Sequence, residues 1–74
     1  MAHTFDDLVQ LERDAEQARA AMNEPNPDPA AARQAAIDAA AAFQAAVTEY
    51  AAAEGESRYD VEMRVKRAVR HPEA

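Results

Sequence analysis

Asn23-Glu24-Pro25-Asn26-Pro27-Asp28-Pro29 is the stretch on which the fold turns. Its three prolines have no amide hydrogen to donate, and each pushes the residue before it toward extended geometry, so no helix continues through it. It is short and stiff, and it is the one clear break in an otherwise helical pattern. Its end already starts something new. Asp28 followed by Pro29 reads as an N-cap with proline in the first helical position.

Upstream of the break, Leu8, Leu11, Ala15, Ala18 and Met22 recur at steps of three and four, the spacing of a helical apolar stripe. Phe5 and Val9 widen the stripe. Thr4 with Asp7 three residues later has the form of a capping box, and Asp6 and Asp7 suit the positive end of a helix dipole. A first helix is expected over about residues 5–22, with Leu11 buried in its stripe.

Downstream, Ala36, Ala40, Phe43, Val47 and Tyr50 form the stripe of a second helix over about residues 29–54. Gly55, the only glycine, is placed to end that helix in the left-handed conformation. Ser57 with Asp60 repeats the capping pattern and opens a third helix over about 58–70, closed by His71-Pro72. No strand-like alternation and no internal repeat are present. The expected fold is all-α: one three-helix domain built on a long antiparallel hairpin, with a short third helix folded back or exchanged between chains.

Composition narrows the function classes. There is no cysteine, which removes disulfides and thiolate metal sites. Met1-Ala2-His3-Thr4 lacks the basic-then-apolar layout of a signal peptide. No apolar run approaches the roughly 20 residues of a membrane span. A cytoplasmic protein is expected, and the alanine-rich, lysine-poor usage suggests a bacterial source. The net charge of −6 is unevenly spread, with a net of −8 over residues 1–57 and +2 over residues 58–74. An acidic body repels nucleic acid, whereas the basic third segment keeps nucleic-acid binding as a secondary reading. The Gly55 turn between two helices has the outline of a helix-turn-helix, but the second helix is too long for the usual first helix of that motif.

Catalytic chemistry finds little footing. Acids pair at Asp6/Asp7, Glu12/Glu16 and Glu54/Glu56, but acid–base work needs a pocket that moves their pKa values, and solvated faces are the simpler reading. Thr4 and Ser57 read as caps, and no histidine stands by sequence as a base for any hydroxyl. One glycine cannot make a phosphate loop. His3 and Asp7 could meet on one turn, yet no third metal ligand is near. No catalytic residue, cofactor, metal or small-molecule substrate is therefore expected.

Two faces look unfinished. Opposite Phe43 and Val47, the second helix carries Ala35, Ala41, Ala42, Ala45 and Ala52, with few polar residues such as Asp38 and Glu49 among them. Small side chains there allow close helix–helix approach, although alanine is also simply the best helix former. The third helix has Val61, Val65, Ala68 and Val69 on one side, and Tyr59, Met63, Lys66 and Arg70 within about 60° of one another on the other. Those four residues form the candidate interface, because tyrosine, methionine and arginine are the types enriched where proteins meet. The chain is expected to bind a protein partner or itself as a homo-oligomer.

Overall fold

The computed structural model describes residues 3–71. Met1, Ala2 and Pro72, used above for the leader and helix-stop readings, lie outside the described residues. The chain is all-α, with α1 over Phe5–Met22, α2 over Pro29–Glu54 and α3 over Arg58–Arg70. The long axis of 43 Å is close to the length of α2 alone, roughly 39 Å at 1.5 Å per residue.

Each helix start follows from a particular side chain. The Thr4 amide donates to Asp7 Oδ2 at 2.9 Å, and the Asp7 amide donates to Thr4 Oγ1 at 3.1 Å, a complete capping box. The Asp28 amide donates to Asn26 Oδ1 at 2.8 Å, and Asp28 then accepts from the Ala31 amide at 3.1 Å. The Asn26 side chain thus folds the proline segment into a turn, and the Asp28 side chain caps α2.

Gly55 sits at φ 66° and ψ 34°. The Glu56 amide returns to the Ala51 carbonyl at 2.9 Å and the Gly55 amide to Ala52 at 3.4 Å, the paired bonds of a Schellman ending. Ser57 caps α3 by accepting from the Asp60 amide at 3.3 Å.

Helices α1 and α2 pack against each other as an antiparallel hairpin, and α3 folds back onto both within its own chain. Leu8, Phe43, Ala46, Val47, Ala51, Val61 and Val65 form the core, with Phe5, Val9, Leu11 and Tyr50 packed around it. All of these except Ala46 and Ala51 are large apolar residues, and they occupy the first half of α1, the second half of α2 and the valine side of α3. In the other half of the hairpin the buried positions are Ala15 and Ala36. Helix α3, at 13 residues against 26 for α2, is too short to cover that half.

Two positions depart from the simple stripes. Leu11, expected to be buried, is only partly so, and Leu8 holds the central place with no exposure. Beside it, Glu12 is buried at 2 % exposure. Helix α1 has two neighbours rather than one, so its buried arc is turned from Leu11 toward Glu12, on the side that meets α3.

Candidate interaction surface

Burying the Glu12 carboxylate requires compensating charge. Lys66 Nζ and Arg19 each reach Glu12 Oε2 at 3.3 Å. Arg19 lies two turns along the same helix, and Lys66 comes from α3. The Lys66 stem also carries its ammonium over the Phe43 ring, 5.7 Å from the centroid. Long side chains of this kind run along apolar surface to place a charge elsewhere. Lys66 thereby ties α3 to the hairpin.

That geometry rearranges the four candidate interface residues. Tyr59 is 69 % exposed, Arg70 is exposed and Met63 is half-buried. These three share an open groove along the outer side of α3, together with Arg67, Arg64 and Asp60. Lys66 does not line it, since its ammonium is committed to Glu12. Arg67, which was not among the four, falls four residues after Met63 and eight after Tyr59, and so completes the stripe. That helical spacing was the signal available in the sequence.

The cations of α3 divide by what they touch. Arg64 pairs with Glu56 at 3.0 Å and lies 5.6 Å from the centroid of the Phe5 ring. Arg58 donates to Gln44 of α2. These contacts, with that of Lys66, hold α3 in place. Among the described residues, Arg67 and Arg70 enter no ion pair. They stand in the last turn of α3, where the helix dipole favours positive charge.

The alanine face of α2 is exposed along its length, from Ala35 through Ala41, Ala42 and Ala45 to Ala52. Asp38 and Glu49 punctuate it. Gln34 donates to Asp38 at 2.9 Å, and His3 approaches Glu49 at 3.7 Å. Ile37, on the shoulder of α2, is 54 % exposed, and Met22 at the end of α1 is 44 % exposed. Both belong to the half of the hairpin that lacks a third helix.

The Asp7 carboxyl is held below the usual aspartate pKa, first by the Thr4 amide that donates to it, against the opposing effect of burial, with smaller help from the Thr4 hydroxyl and the nearby His3. The cause is the helix cap. Among the described residues, no three side chains of metal-ligating type gather at one place, and no helix is long and apolar enough to cross a membrane. Comparison with models of protein families, with curated proteins and with solved structures finds no match to this chain.

Proposed function

We propose that this chain is a small helical interaction module that binds a protein partner, a second copy of itself included, and works by binding rather than catalysis. The observation that carries this is the division of α3. Val61 and Val65 have no exposure, while Tyr59, on the far side of the same helix, is 69 % exposed beside Met63, Arg67 and Arg70. A 13-residue helix folded on a hairpin buries one face, and its other face here carries residue types that dominate the energetics of protein contacts. Exposed Ile37 and the alanine side of α2 add apolar surface with the same requirement for cover.

Three of the five cations of α3 are turned to partners in the chain itself, which leaves a weak basic surface for a nucleic-acid backbone. Gel filtration coupled to light scattering, at low and high salt, tests the proposal. A mass near twice 8.1 kDa or more, persisting at high salt, supports protein association driven largely by apolar contact. A folded monomer at every concentration contradicts self-association, and nucleic-acid binding that collapses with salt replaces it with the other reading.

A further inference from the structure

We infer that the Tyr59–Met63–Arg67–Arg70 face of α3 docks on the acidic outer face of α2 in a second copy of this chain, between Asp38 and Glu49. The inference rests on the interaction reading above and adds to it the partner and both contact surfaces.

Charge makes the first part of the case. The cations at the end of this face have no acid partner among the described residues. The body of the same chain carries a net of −8 over residues 1–57. Two copies therefore offer each other surfaces of opposite sign, which steers approach and sets orientation.

Spacing makes the second part. Tyr59 and Arg70 are eleven residues apart on one face of α3, and Asp38 and Glu49 are eleven apart on one face of α2. Eleven residues are close to three whole turns, about 16 Å along either axis. With the helices antiparallel, Arg70 meets the second copy's Asp38 while the Tyr59 hydroxyl donates to the second copy's Glu49. Between these ends Met63 and the Tyr59 ring lie over Ala41, Ala42 and Ala45, whose small side chains permit a close approach. Among the described residues, Asp38 and Glu49 are exposed and bonded only to Gln34 and His3 on their own surface, so both can turn to a new donor.

Complementary charge reversal tests this with the whole chain. One variant carries Arg67→Glu and Arg70→Glu, and the other carries Asp38→Arg and Glu49→Arg. Each alone should associate at least about tenfold more weakly than the unaltered chain, because like charges then face each other. Mixed in equal amounts, the two should form a complex again, since every α3 face then meets an α2 face of opposite charge. Acids in the last turn of α3 oppose the helix dipole, so Arg67→Gln with Arg70→Gln serves as a second variant that should weaken association while keeping the helical circular dichroism. Variants that self-associate as strongly as the unaltered chain overturn this docking mode and leave the interaction reading standing. Reversed variants that are folded, monomeric alone and still monomeric when mixed also overturn it. An unaltered chain that is monomeric throughout overturns self-association itself.

Discussion

The Lys66 ammonium reaches the buried Glu12 carboxylate at 3.3 Å from a position 54 residues further along the chain. Glu12 is 2 % exposed, whereas the side chains of Lys66 and Arg19 retain 27 % and 46 %. The pair is therefore lopsided: the acid is dry and its two cations can reach water. Removing one partner of such a pair costs more than removing the buried charge.

Lys66→Met should accordingly destabilise the fold by about 1–3 kcal/mol, because Glu12 stays buried with Arg19 alone. Glu12→Leu should cost less, since both cations relax into solvent and an apolar side chain fits the site. Urea unfolding of the two variants checks the order. The reverse order would mean that the carboxylate is not held dry by α3.

Burial also ranks the leucines. Leu8→Ala should cost about 2–5 kcal/mol and Phe43→Ala about 3–5 kcal/mol, as both are fully enclosed. Leu11→Ala, at a half-buried position, should cost clearly less than Leu8→Ala. Gln34→Ala, on the solvent side of α2, should stay within about 0.5 kcal/mol of the unaltered chain. Chemical denaturation of the four variants gives the ranking.

Gly55 isolates a backbone effect. A Cβ at this position would have no heavy atom within 4 Å, so Gly55→Ala meets no steric contact. It still places an L-residue at φ 66°, for which about 1–2 kcal/mol is expected. Thermal and urea unfolding should show that loss with the helical content unchanged. A neutral substitution would contradict the left-handed ending of α2.

The Asp7 cap responds to pH with a definite sign. Its carboxyl pKa is lowered in the folded state by the Thr4 amide, against about 3.9 for a free aspartate. The stabilisation is fully present above the unfolded value and is lost as pH falls through the lowered folded value. Protection of the amides at the start of α1, measured against the intrinsic exchange rate at the same pH, should therefore fall on acidification below about pH 4, and Asp7→Asn should remove most of that dependence. An unchanged response in the variant would assign it to another acid.

The helices are legible in the sequence because punctuation marks five of their six ends: Thr4 with Asp7, the proline segment, Asp28 with Pro29, Gly55, and Ser57. These are local interactions, decided within a few residues. The burial of Glu12 and the half-exposure of Leu11 were not legible, because they depend on the direction from which α3 reaches α1, and a stripe counted along one helix carries no such direction. The sequence groups Lys66 with Tyr59 for a related reason. Its Cα lies on that face, but four methylenes let its charge leave it. Tyr59 and Met63 carry no cation to send elsewhere, Arg70 pairs with no acid among the described residues, and the three line one groove.

Sedimentation equilibrium of the unaltered chain and of the Tyr59→Ser, Met63→Ser double variant, at matched concentrations, tests the exposed face of α3 most directly. Tyr59 is mostly in solvent and Met63 half so, so the change should weaken association by about tenfold or more, as loss of interface anchors does. Helical circular dichroism and the melting temperature of the dilute, dissociated chain should stay nearly intact. A double variant that unfolds, with association of the remaining folded chain unchanged, would place that face in the chain's own core and contradict its role as a partner surface.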